Sequence, residues 1–299
     1  MFSFQIKYFQ QLLNIKYAVF SAVFLAATTV FALTFPEIAS GFSEKGFSTV
    51  LIGGCAFLCA RTVGILVNQI IDRDIDKKNP RTTSRVLPAK KLSIHFVFLT
   101  TVLASLFFLV PCTFLSKECS WLALLAILLM IIYAYAKRLT YLCHWILGLI
   151  YYLAILMNFY ALSSKPLSLK MFIIASLWGI TAAMIIAAND IIYAIQDFEF
   201  DRREKLYSIP ACFGKAKAVR IASVCLLLSL LSYIAMAVLA SFSKLGLILS
   251  LLPVLVIGKT IKIYYALDKN HVNLEICFFR GNIYLALSFF IVMVSLLIS

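Results

Sequence analysis

Long apolar runs separated by short polar intervals organise this chain from end to end. Nine runs stand out, at roughly 17–36, 47–69, 94–115, 120–136, 142–162, 171–196, 219–241, 245–267 and 274–298. Each comes near the ~20 residues that carry a helix through a ~30 Å hydrocarbon layer. Backbone amides in lipid must be paired within their own segment, so the runs are predicted to be helices. The expected fold is all-α, a multi-pass transmembrane bundle of about nine helices. The fourth run is short and the second and sixth have polar ends, which sets the range at about eight to ten.

Composition agrees, with 63% hydrophobic and 13% charged residues. A soluble domain carries about 25% charged residues. No linker rich in Gly, Ser or Pro interrupts the chain, so residues 1–299 read as a single integral membrane domain. The opening "MFSFQIKYFQQLLNIK" has no short apolar core with a cleavage site and suits a helix lying in the membrane interface. The eight cysteines form no CxxC pair and read as small buried side chains. His95, His144 and His271 stand alone at predicted helix ends and read as structural.

A net charge of +14 would suit a nucleic-acid partner, but its placement argues against one. With nine spans, the loops around Arg73–Lys91, Lys137–Arg138, Arg202–Arg220 and Lys259–Arg280 fall on one side of the bilayer, with Lys7 and Lys16. The other side receives Lys45, Lys117, Lys165, Lys170 and Lys244. This positive-inside asymmetry makes the basic side cytoplasmic, in a bacterial-type inner (plasma) membrane. Lipid is therefore the expected surrounding, and no nucleic acid is expected.

Candidate chemistry sits on that basic side. "NQIIDRDID" follows the second run and "NDIIYAIQDFEFDRR" ends the sixth. Both place an Asn at the end of an apolar helix ahead of a D-x-x-x-D pair, Asp72 with Asp76 and Asp197 with Asp201. Four predicted helices separate the copies, so two four-helix halves would set the clusters face to face across a central cavity. On a helix, Asn68, Asp72 and Asp76 share one stripe at steps of about 6 Å, and Tyr193, Asp197 and Asp201 repeat it. Like charges so spaced repel. An aspartate at the membrane centre costs ~2.5–3.5 kcal/mol, less near the interface.

A hard divalent cation with oxygen ligands, Mg2+, would offset that cost. Magnesium takes one or two carboxylates plus phosphate, so the two stripes can hold two ions with a diphosphate between them. Basic residues stand around them: Arg61 inside the second run, Arg81 and Arg85 after the first cluster, Lys137 and Arg138 after the fourth run. Guanidinium forks bind phosphate oxygens bidentately, and lysine adds a point charge. Asp190, inside "IIAANDIIY", is a functional candidate because intramembrane carboxylates are rarely structural. Asp74 and Glu199 lie off the stripes. The bland alternative is a solvated helix end paired with neighbouring cations, and the matched duplication weighs against it. Most aromatics between the clusters, Tyr133 and Tyr151 among them, read as packing, and some as lining for an apolar chain.

These blocks carry a resemblance. "ARTVGILVNQIIDRDIDKKNPRTTSRVLP" and "DIIYAIQDFEFDRREKLYSIPACFG" resemble the two aspartate-rich signatures of the UbiA-type intramembrane prenyltransferases, and "YAYAKRLTYLCHWILG" resembles that family's K-R-x-T loop. The blocks lie in the family's order and cover nearly the whole chain. The resemblance implies nine helices around a cavity that opens sideways to lipid, a polyprenyl diphosphate donor, and 4-hydroxybenzoate as the best-known acceptor, in ubiquinone or menaquinone biosynthesis. It implies metal-site roles for Asn68, Asp72, Asp76, Asp197 and Asp201. Arg61, Lys137 and Arg138 would contact diphosphate or the acceptor's carboxylate, Asp190 would lie near the acceptor, and Tyr193 matches the motif tyrosine.

Val86, Lys90 and Asn189 depart from the family pattern, but no acidic ligand is missing. "QDFEFDRR" looks closer to the branch that makes menaquinone through futalosine, so a dihydroxynaphthoate is the alternative acceptor. The implied reaction is an electrophilic aromatic substitution in which Asp190 orients or deprotonates the phenol and Arg138 holds a carboxylate or the diphosphate. From the residues alone, an ion-coupled transporter is a competing reading, since buried carboxylates and internal repeats occur there too. A phosphatidyltransferase is a third, but its leading D-G and A-R elements are absent.

Overall fold

The computed structural model describes Tyr8, Gln11 and residues 18–266 and 274–299. The expected interfacial helix at the N-terminus, apart from Tyr8 and Gln11, and His271 lie outside the described residues. Within them the chain is helical throughout, with no strand. The long helices are α1 (Ala18–Leu33), α3 (Ser48–Lys78), α4 (Ile94–Leu115), α5 (Lys117–Ala136), α6 (Cys143–Leu162), α7 (Leu169–Ala194), α10 (Lys215–Leu239), α12 (Leu251–Ala266) and α13 (Leu274–Ile298). Four short helices complete the order: α2 (Pro36–Lys45), α8 (Phe198–Arg203), α9 (Ile209–Phe213) and α11 (Lys244–Leu249). Among the described residues eight segments are long and apolar enough to cross a bilayer, or nine with the pair α1 and α2. The protein is an integral membrane protein, and the predicted runs match these helices to within a few residues at most ends.

Three features depart from the plain run of spans. After α1 the chain bends by 107° and forms α2. Pro36 starts that helix where a missing N–H costs nothing. Second, α3 does not stop where its apolar run ends but continues through the charged segment to Lys78. Third, the helix through the second aspartate block is broken: α7 gives way to a 3-10 turn, Ile195–Asp197, before α8.

Small residues set how closely the helices approach. A Cβ on Gly148 of α6 would lie 2.5 Å from the carbonyl oxygen of Ala183 on α7, and one on Gly179 would meet the Tyr152 ring at the same distance. Without a hydrophobic drive between helices in lipid, such contacts supply the packing. The deepest aromatic cluster joins α1, α7, α10 and α13. Phe24 stacks on Trp178 with ring centroids 4.8 Å apart, and Phe289 and Tyr233 pack around them. The Trp178 indole N–H donates to Thr28 Oγ1 at 2.9 Å, so its polar atom is satisfied.

The bundle has two distinct ends. At one, Tyr207 N–H donates to the Lys137 carbonyl, Lys78 pairs with Glu204 at 2.9 Å, and Arg81 reaches Asp197. These bonds tie together the loops carrying the predicted basic and acidic residues. At the far end, Lys45 of α2 donates to the carbonyls of Leu115, Ala161 and Ser163, which close α4 and α6. Between α1 and α3, which do not pack closely on each other, lies a cavity of about 950 Å3. Its walls include Thr49, Gly53 and Gly54 toward the far end and Asn68, Arg85 and Tyr133 toward the carboxylates.

Candidate active site

Both aspartate clusters face one small pocket of about 120 Å3. From α3 it receives Asn68, Asp72 and Asp76, and from the far side of the bundle Asp190, Tyr193, Asp197 and Asp201. Lys137, Arg81 and Arg85 complete its charged wall. The four-residue spacing on α3 puts its three side chains on one face. On the second block the 3-10 turn alters the spacing, yet Tyr193, Asp197 and Asp201 still reach the pocket. The wall of the large cavity is shared at Asn68, Arg85 and Tyr133, so the polar pocket is the head of the apolar one.

The carboxylates are held mainly by guanidinium groups. Arg81 grips Asp197 with both arms of its fork, Nε donating to Oδ1 at 2.8 Å and Nη2 to Oδ2. Its third arm donates to Tyr193 Oη at 3.1 Å, and its plane covers the Tyr193 ring. Asn79 Nδ2 adds a bond to Asp197 Oδ1 at 2.8 Å, while Asn79 Oδ1 accepts from the Arg81 backbone. Arg85 donates to Asp76 Oδ2 at 2.8 Å, and Ser208 to Asp201 Oδ2 at 2.8 Å. Burial opposes the charge of Arg81, but Asp197 outweighs it and holds the guanidinium's pKa above its usual value. Lys137 behaves alike: burial opposes its charge, and Asp201, Asp190 and Asp197 together keep its pKa above that of an ordinary lysine.

Two predicted residues stand apart from the pocket. Arg61 lines the large cavity, two turns up α3 from Asn68. Arg138 lines neither cavity nor pocket: its guanidinium donates to the Ala134 and Ile71 carbonyls and to Asp72 Oδ1, at 2.8, 3.0 and 3.0 Å. It backs Asp72 from behind. Asp74 is exposed and pairs with Arg73, and Glu199 is exposed.

Sequence reasoning missed two side chains. Asn79, the C-cap of α3, fastens the first block to Asp197 across the bundle. The Asn-Pro pair that opens the loop was the available signal, and it marks a turn without naming a partner. His144, read as a lone structural histidine, is fully buried, with Nδ1 2.7 Å from Asp190 Oδ2 and Nε2 accepting from Ile209 N–H at 3.2 Å. Tyr133 Oη lies 3.5 Å from the other Asp190 oxygen. No spacing in the sequence links positions 133, 144 and 190. Asn189, the departure beside Asp190, bonds Asn282 and Tyr264, each at 2.7 Å, and so joins α7 to α12 and α13.

The donor set fits a hard divalent cation. Five oxygen-bearing ligands of the predicted set line one pocket. Among the described residues no three Asp, Glu, His or Cys side chains close on one point. Magnesium takes one or two carboxylates and fills its shell with water and phosphate, and each of the two facing blocks offers a pair of carboxylates. An anion with several oxygens would also find two guanidinium groups and an ammonium within the same walls.

The chain matches the UbiA prenyltransferase family over residues 17–294. The 4-hydroxybenzoate octaprenyltransferase of Francisella tularensis subsp. mediasiatica (strain FSC147) is 33% identical over 186 residues, 62% of this chain and 63% of that relative. The similarity thus spans less than two thirds of the relative's length. The protein of the same name from Aliivibrio salmonicida (strain LFI1238) is 31% identical over 59% of this chain and 60% of its own. Among solved structures, the apo form of a UbiA homolog from Aeropyrum pernix K1 has a TM-score of 0.79 at 22% identity, covering 94% of this chain and 98% of that one. A UbiA homolog from Archaeoglobus fulgidus bound to DMAPP and Mg2+ has a TM-score of 0.67 at 16% identity, covering 96% and 98%. At these identities the likeness is one of fold.

Proposed function

The chain belongs to the UbiA prenyltransferase family, and from that premise we propose that it transfers a polyprenyl group from a polyprenyl diphosphate to a hydroxylated aromatic acid, 4-hydroxybenzoate first, in respiratory quinone biosynthesis. The observation that carries the reading is the joining of a doubly acidic, cation-rimmed pocket to a large apolar cavity at Asn68, Arg85 and Tyr133. One end suits a diphosphate and the other an isoprenoid tail. The relatives named as 4-hydroxybenzoate octaprenyltransferases support the acceptor. The homolog structures bound to Mg2+ with DMAPP or GPP support the donor and the cation. The basic loops at the pocket end support a cytoplasmic face of an inner membrane.

In this mechanism Asn68, Asp72, Asp76, Asp197 and Asp201 would hold the cation, and a magnesium ion there would supply positive charge to the diphosphate oxygens. Arg81, Arg85 and Lys137 bind phosphate oxygens as charge builds on them. The allylic C–O bond breaks and its electron pair leaves with the diphosphate. The acceptor carbon ortho to the hydroxyl gives its π pair to the allylic carbon, and the C–H proton at that position then passes to the released diphosphate, which restores aromaticity. Asp190 orients the acceptor's hydroxyl, Tyr193 shapes the pocket wall, and Arg61 in the cavity meets the acceptor's carboxylate. Arg138 acts through Asp72, which it holds in place. The lipid-embedded cavity keeps water from the cation that forms on the tail.

One sequence feature favours a second acceptor. The "QDFEFDRR" segment supports a dihydroxynaphthoate, also a hydroxylated aromatic acid. Membranes carrying the protein, given labelled geranyl diphosphate, magnesium and a panel of hydroxylated benzoates and naphthoates, test both readings. The expected result is label in one aromatic acid, dependent on magnesium. Label in none of them, with the protein inserted, overturns the proposal.

A further inference from the structure

We propose that His144 is a positioning residue for Asp190, a role that rests on the aromatic prenyl transfer proposed above. The histidine is fully buried among α6, α7 and α9, and both of its ring nitrogens are committed. Nε2 lies 3.2 Å from the Ile209 backbone N–H, a group that can only donate. Nε2 therefore accepts, and the ring proton sits on Nδ1. That proton points along the 2.7 Å contact to Asp190 Oδ2. A backbone amide thus fixes the imidazole tautomer, and the imidazole in turn fixes the carboxylate. The same logic orients side chains around catalytic groups and metal ligands elsewhere.

The consequence lies in the other carboxylate oxygen. With Oδ2 held by His144, Asp190 Oδ1 faces Tyr133 Oη, 3.5 Å away. Tyr133 stands where the acid pocket meets the large cavity, the place at which a donor's allylic carbon and an acceptor ring must meet. Asp190 keeps 17% of its side chain accessible, while His144 keeps none. His144 therefore touches no substrate. It sets which oxygen of Asp190 is presented and holds it against rotation. Ile209 opens α9, just beyond Ser208, the residue that holds Asp201. One short segment after the second aspartate block thus fixes both Asp201 and, through His144, Asp190.

The test compares His144→Phe, which keeps the ring volume and loses both hydrogen bonds, with His144→Asn, whose amide N–H can occupy the place of Nδ1–H. Two quantities are read for each variant in membranes: magnesium-dependent binding of geranyl thiodiphosphate, and transfer from geranyl diphosphate to the aromatic acid per bound donor site. H144F is expected to bind the donor analogue as the wild type does, with transfer per site reduced 10- to 100-fold, and H144N to restore it to within about fivefold. Wild-type transfer per site in H144F, or no recovery in H144N, overturns the inference. A wild-type protein that transfers nothing overturns the reading on which it rests. Wild-type protein labelled with 15N-histidine gives a check that needs no variant. One histidine should show the Nδ1–H tautomer. Its absence, with every histidine as the Nε2–H tautomer or the imidazolium, overturns the inference as well.

Discussion

Arg81, in the loop after α3, closes a two-armed bond on Asp197, 116 positions along the chain and at the end of the other half of the bundle, with its Nε 2.8 Å from Oδ1. The two aspartate blocks are therefore held face to face by a cation from one gripping an anion of the other. The contact is 9% exposed on the aspartate side and 31% on the arginine side.

Arg81→Ala should leave a nearly buried carboxylate with Asn79 as its remaining partner. Breaking a buried pair costs roughly 3–5 kcal/mol, and the partial exposure of Arg81 reduces this to about 1–3 kcal/mol here. Thermal unfolding in detergent should show a lowered midpoint, and added magnesium should recover part of it by supplying another positive charge. An unchanged midpoint would mean that the pair does not hold the halves together.

Asp197→Asn and Asp72→Asn keep side-chain shape and remove one negative charge each. Both should insert normally and lose transfer activity by a factor on the order of 100 or more, as when a main electrostatic partner of a transition state is removed. Chelating magnesium from the wild type should have the same effect, reversible on re-addition. Turnover near the wild-type level in either variant would contradict the metal-site assignment.

Gly53 lies on the wall of the large cavity, and a Cβ there meets nothing within 4 Å. It stands 19 residues from Asp72, about 28 Å along the helix at 1.5 Å per residue. Gly53→Phe should therefore shorten the tail that fits. Transfer from geranyl diphosphate is expected to stay within about threefold of wild type, while transfer from a long-chain donor falls at least about tenfold, as filled cavities exclude what no longer packs. Equal losses for both donors would place the tail elsewhere.

Lys45→Met should destabilise the far end, because one ammonium serves the carbonyls of Leu115, Ala161 and Ser163. A hydrogen bond from a charged donor contributes about 1.5–3 kcal/mol. A loss of about 2 kcal/mol is expected, seen as a lower unfolding midpoint with unchanged KM for either substrate.

The spans were legible because lipid imposes a length on every apolar run, and α4, α5 and α6 begin and end close to where hydropathy places them. The candidate pocket was legible as two stripes, since the spacing of Asn68, Asp72 and Asp76 fixes one helix face without any knowledge of neighbours. Contacts between distant positions were not. Arg138 reads as a site cation in the loop, yet its fork is turned back on Ile71, Ala134 and Asp72. His144 reads as a solitary residue because its partners, Asp190 and Ile209, lie 46 and 65 positions away. The bend into α2 was hidden for a related reason. "PEIASGFSEK" is too polar to register as a span and looks like a loop, while its docking depends on Gly41, where a Cβ would lie 2.5 Å from the Ser164 backbone nitrogen.

That docked segment has a further bearing on the shape of the cavity within the bilayer. The chamber of about 950 Å3 takes part of its wall from Thr49, Gly53 and Gly54, close behind α2 in the chain. Lys45, at the end of α2, bonds the carbonyls of Leu115 and Ala161, and both of these residues also line the chamber. A single ammonium that stands outside the chamber therefore anchors two of its walls from behind.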